Sequence, residues 1–259
     1  MRLPPAPVVR YGDHPDQVAN LHAPTGEAAP WPVVVLIHGG FWRAGWDRTL
    51  MTPLALDLAA NGFLAWNVEY RRVGQEGGGW PGTLLDAAAA VDALATVEEA
   101  DATRVAVVGH SAGGQLALWL AARERLPAGA PGVVPAVRPS LAVSLAGVAD
   151  LVAGAEGGLG GGACEALLGG LPREVPERYA AASPAGLLPL GVPQLLVHGS
   201  RDDVVPPKQS SEYAVAAREA GDDVELIELA GADHFDVLEP SQTAWGIVSE
   251  RLWARLGRG

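Results

Sequence analysis

The sequence is short of cysteine, of positive charge and of long apolar runs. Cys164 is the only cysteine among 259 residues, so a disulfide within the chain is excluded and a reducing, cytoplasmic compartment is expected. No apolar run approaches the roughly 20 residues that a membrane-spanning helix needs. Residues 1–10 contain three prolines and no apolar core segment, which argues against a secretory signal. We therefore expect a soluble protein.

Basic side chains are outnumbered by acidic ones, 18 to 30, and the formal net charge is −12 at pH 7. An acidic surface repels nucleic-acid phosphates and anionic lipids, so we expect neither nucleic acid nor membrane among the partners. The hydrophobic share of 49% is enough to bury one large core. Because no repeat or linker interrupts the pattern, the sequence predicts a single domain over residues 1–259. Oligomerisation is left open.

Short β-branched runs alternate with helical stretches along the chain. Continuous apolar strands separated by helices predict an α/β fold, with a mostly parallel sheet of about eight strands and helices on both faces. Residues 8–21 are expected to supply one or two antiparallel edge strands. The other predicted strands occupy residues 32–37, 63–68, 104–108, 141–145, 193–197 and 224–229. The predicted helices occupy residues 47–60, 81–97, 111–125, 207–220 and 240–256.

The most informative segment runs from Gly109 to Gly113, with the sequence Gly-His-Ser-Ala-Gly. It follows the apolar run 105–108 and opens an alanine-rich helical stretch, which is the strand, turn and helix context of a nucleophile elbow. A glycine at each end lets the backbone turn sharply and lets the helix approach the sheet. The pattern indicates that Ser111 is a nucleophile for acyl transfer, with its hydroxyl facing a cleft.

A serine hydroxyl needs a neighbouring base, normally an imidazole that a carboxylate orients. His234 is the favoured base, because it alone among the six histidines lies in a loop downstream of an acidic pair. That pair is Asp202 and Asp203; the spacing Asp-x-x-Val-Pro favours Asp202 as the orienting acid, and Asp203 stays an alternative. Asp233 is a weaker candidate, because it would struggle to reach the ring of its own neighbour. Both loops follow predicted strands, so these groups should open on the same edge of the sheet as Ser111.

The segment 38–42, His-Gly-Gly-Phe-Trp, directly follows another predicted strand. The tetrahedral intermediate of acyl transfer carries an oxyanion, which needs backbone N–H groups aimed at it in advance. Two glycines after a strand allow the loop to fold back, and the residue after a nucleophile normally supplies another N–H group. The sequence therefore predicts an oxyanion hole formed by the N–H groups of Gly40, Phe41 and Ala112. The alternative is an ordinary Gly-Gly turn.

The candidate substrate-binding residues are Trp42, Tyr70 and His110. Three more tryptophans could line the same aromatic pocket: Trp46, Trp66 and Trp80. For each aromatic residue the alternative is packing in the core, and for His110 it is packing or turn hydrogen bonding. No cluster of histidine, cysteine and aspartate has the spacing of a metal site, so we expect neither a metal nor another cofactor.

Residues 149–190 interrupt the alternation of strands and helices. The segment is rich in glycine, alanine and proline and shows no clear strand. A long segment of this kind inside a compact domain is usually functional, and this one falls between two predicted strands on the side of the predicted site. We expect a small cap that shapes the substrate pocket; the alternative is a disordered surface excursion.

Together these segments resemble the α/β-hydrolase superfamily over nearly the whole chain from residue 33 onward. Within it, residues 38–42 resemble the His-Gly-Gly-x-Trp motif of kynurenine formamidases (arylformamidases) and related carboxylesterases. Hormone-sensitive-lipase-like esterases are similar but typically have a third glycine where this chain has Phe41. Residues 109–114 and 198–206 are also similar to prolyl-oligopeptidase-type peptidases, which normally add a propeller domain for which this chain has no room.

The resemblance implies an α/β-hydrolase fold, with Ser111 as nucleophile, Asp202 as orienting acid and His234 as general base. It implies a serine hydrolase that cleaves small carboxylic esters or amides, including formamides, through an acyl-enzyme intermediate. The alternatives are an aminoacyl peptidase or acyltransferase on the same fold, a metal-dependent hydrolase, and a non-catalytic binding protein that keeps the fold.

Overall fold

The structure, a computed structural model, describes residues 6–25 and 29–257. The ends of the predicted domain lie outside these ranges, as does the first half of the segment 1–10. None of the described helices combines the length and the apolar character that crossing a membrane requires.

An eight-stranded sheet runs through the described chain in the order β1-β2-β4-β3-β5-β6-β7-β8. Its strands are β1 (Val8–Arg10), β2 (Val18–His22), β3 (Trp31–Ile37), β4 (Leu64–Val68), β5 (Ala100–His110), β6 (Leu141–Leu145), β7 (Gln194–Gly199) and β8 (Val224–Leu229). The β1–β2 and β2–β4 pairs are antiparallel, and the other pairs are parallel. The predicted α/β class, with a mostly parallel sheet and two antiparallel strands at one edge, is confirmed.

Helices connect the parallel strands, and one more helix follows the last strand. They are α1 (Thr52–Ala60), α2 (Gly82–Asp92), α3 (Ala112–Ala121), α4 (Leu151–Glu156), α5 (Ala163–Leu168), α6 (Pro176–Ala182), α7 (Lys208–Glu219) and α8 (Thr243–Leu256). Three predicted helices are shorter than expected because 3-10 turns take up one end. These turns are Arg48–Met51 before α1, Ala93–Thr96 after α2 and Arg123–Arg125 after α3.

The centre of the sheet is buried on both faces, which explains why β3 and β6 are almost continuously apolar. Successive side chains of a strand point to opposite faces. On β3, Val33, Val35 and Ile37 therefore enter the core beneath α2 and α3, whereas Val34 and Leu36 enter the core beneath α1 and α8. All five side chains are fully buried.

Residues 149–190 form ordered helices and not a disordered excursion. The segment contains α4, α5 and α6 and a 3-10 turn at Pro184–Leu187. Its buried apolar side chains, such as Leu151 and Leu167, join the same core as Val33 and Val35. The segment is therefore held by packing, although it contributes no strand.

Candidate active site

Ser111 stands at the turn between β5 and α3 in a strained backbone conformation. Its φ and ψ angles are 56° and −118°, a region that residues with a Cβ rarely occupy and that is characteristic of functional turns. The Ser111 N–H donates to the carbonyl oxygen of Leu145 at 2.8 Å, which ties the turn to β6. A Cβ at Gly113 would lie 2.1 Å from the carbonyl oxygen of Ile37. Only glycine there lets α3 approach β3 closely enough to hold this turn.

His234 and Asp202 form a close pair in the loops that follow β8 and β7. His234 Nδ1 lies 2.6 Å from Asp202 Oδ2, and both side chains are buried. The other oxygen, Oδ1, accepts hydrogen bonds from the N–H groups of Val204 and Val205 at 2.9 and 2.8 Å. The pairing favours the tautomer of His234 that donates from Nδ1 to the carboxylate, which leaves Nε2 as the nitrogen that can accept a proton.

The structure separates Asp202 from the two other candidate acids. Asp203 is exposed. Asp233 accepts hydrogen bonds from the N–H groups of Phe235 and Asp236 at 2.8 and 3.1 Å, so it caps its own loop. Of the three carboxylates, Asp202 is the one that contacts the imidazole of His234.

A second histidine, His198, also contacts Asp202. Its Nε2 lies 3.1 Å from Asp202 Oδ2 and 2.9 Å from the carbonyl oxygen of Val205, while its Nδ1 lies 2.7 Å from Ser210 Oγ. Burial alone would raise the pKa of Asp202. The hydrogen bonds from His198, His234 and the Val205 N–H outweigh burial and hold that pKa well below its usual value. Sequence reasoning missed this role for His198, although its position at the end of β7 was a usable signal.

Ser111 and His234 line one pocket of about 220 Å³. The residues that line it are Gly40, Phe41, Trp46, Leu50, His110, Ser111, Val204, His234 and Phe235. Within the described chain the Ser111 hydroxyl makes no hydrogen bond. Leu50, Val204 and Phe235 were not predicted here, because their apolar side chains carry no motif.

The loop after β3 folds back over the pocket. Three successive residues, Gly40, Phe41 and Trp42, have positive φ angles of 106°, 52° and 56°. A Cβ at Gly40 would lie 2.4 Å from the Cβ of Trp46, so glycine is required there both for its φ and for space. Among the described residues, no acceptor is bonded to the N–H groups of Gly40, Phe41 or Ala112. These three N–H groups are therefore left without an acceptor in the described part of the chain.

A buried ionic network holds this loop from behind. His38 Nε2 lies 2.9 Å from Glu69 Oε1, and the Arg48 N–H donates to Glu69 Oε2 at 3.0 Å. Arg72 Nη1 lies 3.4 Å from Glu69 Oε1 and also binds the carbonyl oxygen of Trp46. Burial would raise the pKa of Glu69, but the hydrogen bond and charge of His38, the Arg48 N–H and the Arg72 charge together lower it. Glu69 is thus an ionised anchor for both ends of the loop.

The predicted substrate contacts Trp42 and Tyr70 require correction. Both side chains are fully buried. Trp42 Nε1 donates to Gln115 Oε1 at 3.1 Å, and the Tyr70 hydroxyl donates to the carbonyl oxygen of His38 at 2.9 Å. The left-handed turn at Gly40–Trp42 directs Trp42 into the core, so neither side chain lines the pocket.

His110, the third predicted substrate contact, does line the pocket, but its ring is hydrogen-bonded to the protein backbone. Its Nε2 donates to the carbonyl oxygen of His234 at 2.9 Å, and its Nδ1 is buried without a partner among the described residues. Burial, aided by the nearby charge of His234, lowers the pKa of His110 to about 3. His110 is therefore a neutral support for the loop that carries His234.

The insertion 149–190 touches the pocket indirectly. Arg43 donates to the carbonyl oxygens of Gly160 and Gly161 at 2.8 and 3.2 Å. The ring of Phe41 lies against Gly160, where a Cβ would be 2.7 Å from the ring. No residue of the insertion is among those that line the described pocket, so its contact with the site runs through Phe41.

One protein-family model matches the segment of the chain that contains most of this site. A family model named BD-FAE matches residues 19–216, a span that includes the glycine loop, Ser111 and Asp202. The chain belongs to the BD-FAE family. The matched span ends before His234, so that residue is placed by the structure alone.

Curated relatives of this BD-FAE chain are esterases by name. It is 31% identical over 258 residues to Esterase LipC of Mycobacterium tuberculosis, covering 91% of this chain and 61% of the relative. It is 28% identical over 246 residues to the probable isoprenylcysteine alpha-carbonyl methylesterase ICME of Oryza sativa subsp. japonica, covering 88% and 58%. The chain thus spans about three fifths of the length of these relatives.

Solved structures share the architecture at low sequence identity. A truncated form of a carbohydrate esterase from gut microbiota superposes with a TM-score of 0.83 at 17% identity, covering 97% of this chain and 95% of that one. The thermophilic esterase Est2 of Thermogutta terrifontis has a TM-score of 0.77 at 23% identity, covering 97% and 92%. At such identities the likeness shows the fold alone, and it confirms the α/β-hydrolase fold. The narrower resemblance to arylformamidases stays a prediction.

Proposed function

We propose that the protein is a serine carboxylesterase that cleaves small carboxylic esters through an acyl-enzyme intermediate. The observation that carries the proposal is the 2.6 Å contact between His234 Nδ1 and Asp202 Oδ2, at a pocket that also contains the strained Ser111. The names of the curated relatives, an esterase and a methylesterase, support ester substrates.

In the first half-reaction, Ser111 Oγ attacks the carbonyl carbon of the ester while His234 Nε2 takes the hydroxyl proton. The imidazolium that forms is stabilised by the ionised Asp202 through Nδ1–H. The tetrahedral intermediate then collapses: the bond from carbon to the alcohol oxygen breaks, and His234 gives its proton to that oxygen. The alcohol leaves and the acyl group stays on Ser111.

In the second half-reaction, water attacks the acyl-enzyme and His234 takes a proton from it. The bond between the acyl carbon and Ser111 Oγ breaks, His234 returns the proton to Ser111, and a carboxylic acid is released. Both steps are base-catalysed by the same imidazole, which suits the single exposed ring nitrogen of a His–Asp pair.

The oxyanion of each tetrahedral intermediate is bound by the N–H groups of Gly40, Phe41 and Ala112. Support for this assignment is that none of the three donates to another described residue. Donors fixed in advance stabilise the developing charge without reorganisation, and each is worth on the order of 3 kcal/mol of transition-state stabilisation. The insertion 149–190 acts as a cap that supports this loop through Phe41 and Arg43.

A single substrate panel tests the reaction class. Rates are compared on p-nitrophenyl acetate, p-nitrophenyl butyrate, N-formyl-kynurenine and an aminoacyl anilide. The proposal expects the short esters to dominate. A dominant formamide rate would favour the arylformamidase alternative, and a dominant anilide rate would favour a peptidase. Products formed with a competing alcohol reveal an acyltransferase, and inhibition by a chelator reveals a metal-dependent hydrolase.

The nucleophile is tested by Ser111→Ala, with Ser249→Ala on α8 as the matched control. The first variant is expected to lose ester turnover and labelling by a fluorophosphonate probe, and the second to keep both. Turnover that survives in Ser111→Ala contradicts the assignment. A folded protein that is neither labelled nor active on any member of the panel would instead favour a non-catalytic binding role.

A further inference from the structure

Two aromatic side chains stack on each other at the edge of the pocket. The ring centroids of Trp46 and Phe235 are 6.1 Å apart, and the ring planes meet at 24°. Trp46 is 46% exposed and Phe235 is 44% exposed, although both line the pocket. Large apolar side chains that are exposed at a concave site mark a contact surface for a ligand.

The walls below this pair are apolar and uncharged. Phe41, Leu50 and Val204 supply the remaining hydrophobic lining, and no acidic, lysine or arginine side chain is among the residues that line the described pocket. The volume of about 220 Å³ lies below the range usual for drug-sized ligands. The space beside Ser111 therefore fits a short apolar group and offers no lysine or arginine side chain to pair with a charged acyl group.

Neighbouring residues of the protein fix both aromatic residues in place. The Trp46 ring packs on Gly40 and its carbonyl oxygen is bound by the buried Arg72. The Phe235 N–H donates to Asp233 at 2.8 Å, and the Phe235 ring meets the ring of His234 edge-on, with centroids 5.2 Å apart. A wall fixed in this way discriminates by size, because enlarging the pocket requires breaking these contacts.

We propose that Trp46 and Phe235 determine the acyl specificity of the enzyme, restricting it to short, slim and uncharged acyl groups. This inference rests on the proposed function. The acyl group is bonded to Ser111 in the covalent intermediate and must occupy the pocket during both half-reactions, whereas the alcohol occupies it only until it leaves. The wall that the two stacked rings form at the pocket therefore limits the size of the acyl half of the ester.

The experiment measures kcat/KM for p-nitrophenyl acetate, butyrate, octanoate and hydrogen succinate, which share one leaving group. Wild type is compared with Phe235→Ala, Trp46→Ala and the control Trp253→Ala, which removes a similarly exposed tryptophan (43%) from α8, outside the pocket. The ratio of octanoate to acetate is the readout, because it cancels any difference in the amount of folded enzyme.

We expect the octanoate-to-acetate ratio to rise by about tenfold in Phe235→Ala and in Trp46→Ala, the size of effect that a pocket wall exerts on added methylenes. Trp253→Ala keeps the wild-type ratio. Wild type is expected to prefer butyrate to hydrogen succinate by a similar factor, because the carboxylate finds no cation in the pocket.

Three outcomes overturn the inference. The first is an unchanged ratio in both pocket variants, and the second is hydrogen succinate cleaved as well as butyrate. The third comes from a parallel series of acetate esters with lengthening alcohols: a change of specificity in the pocket variants that is confined to this series would assign the two rings to the alcohol half. Failure of the proposed function would look different from failure of this inference. In that case Ser111→Ala would keep the turnover of the wild type, or the fluorophosphonate would not label Ser111.

Discussion

His198 and His234 direct ring nitrogens to the same carboxylate oxygen, Oδ2 of Asp202, from 3.1 and 2.6 Å. With the two backbone N–H groups on Oδ1 and the His234 ring on Oδ2, Asp202 accepts three hydrogen bonds, and the His198 ring adds a close contact at 3.1 Å. A carboxylate bonded in this way stays ionised and cannot rotate. The orientation of the His234 imidazole is therefore set by a buried group that is itself held on all sides.

The first prediction separates the two neighbouring aspartates. Asp202→Asn should lower kcat by about 10⁴-fold, because an amide at this position favours the wrong tautomer of the His234 ring. Asp203→Asn, the matched control on an exposed side chain, should leave kcat close to the wild-type value. Steady-state kinetics on p-nitrophenyl acetate measure both. A larger loss in Asp203→Asn would transfer the role to that residue.

Much of this site could be predicted because parallel strands end at one edge of a sheet. Ser111, Asp202 and His234 each follow such a strand, so their convergence depended only on assigning β5, β7 and β8. The choice between Asp202 and Asp203 was weaker at the level of sequence. Neighbouring residues of a loop face different directions, and only the position of the His234 ring shows which carboxylate meets it.

The aromatic residues show where sequence reasoning failed. Trp42 and Trp46 lie four residues apart in one loop, and composition cannot tell which of them faces the pocket. The positive φ angles at Gly40, Phe41 and Trp42 reverse the chain, burying Trp42 and leaving Trp46 at the surface. A left-handed conformation at two non-glycine residues is stabilised by tertiary contacts, so local propensity gives no warning of it.

The second prediction concerns pH and His110. Its pKa is about 3 in the folded protein and 6.5 is the ordinary value, so the unfolded chain binds a proton between these values that the folded chain does not. Stability should therefore fall as the pH drops below 6.5, by about 2 kcal/mol between pH 7 and pH 5 from this group. Urea unfolding at the two pH values measures the loss. His110→Gln should lose correspondingly less on acidification, and an equal loss would contradict the assignment.

The third prediction compares a buried ion pair with an exposed one. Glu69→Gln should destabilise the protein by about 2 kcal/mol, because the buried His38 ring and the Arg48 N–H lose a charged acceptor, whereas Arg72 keeps its ion pair with Asp16 at 3.2 Å. It should also lower kcat more than it changes KM, since the loop that carries the oxyanion donors loses its anchor through His38. Glu225→Gln breaks an exposed pair with Arg251 and should change stability far less. Urea unfolding and steady-state kinetics on both variants test this, and equal effects would show that the Glu69 network does not support the loop.

The fourth prediction tests whether the glycine loop acts in catalysis or is an ordinary turn. Gly40 and Gly221 both have positive φ angles, 106° and 91°, so an alanine at either position adds backbone strain of about 1 kcal/mol. The two differ in their surroundings. A Cβ at Gly40 would meet the Trp46 side chain at 2.4 Å, whereas at Gly221 nothing lies within 4 Å.

Gly40→Ala should therefore displace Trp46 or the loop, moving the N–H groups of Gly40 and Phe41 away from the oxyanion. We expect kcat/KM on p-nitrophenyl acetate to fall by at least about 100-fold, the loss that follows removal of one such donor. Gly221→Ala should be destabilised by backbone strain to a similar extent as Gly40→Ala, but it should keep its activity. If thermal unfolding shows comparable destabilisation but the two variants remain equally active, the N–H groups of the loop do not bind the oxyanion, and the stabilising donors must be sought elsewhere around Ser111.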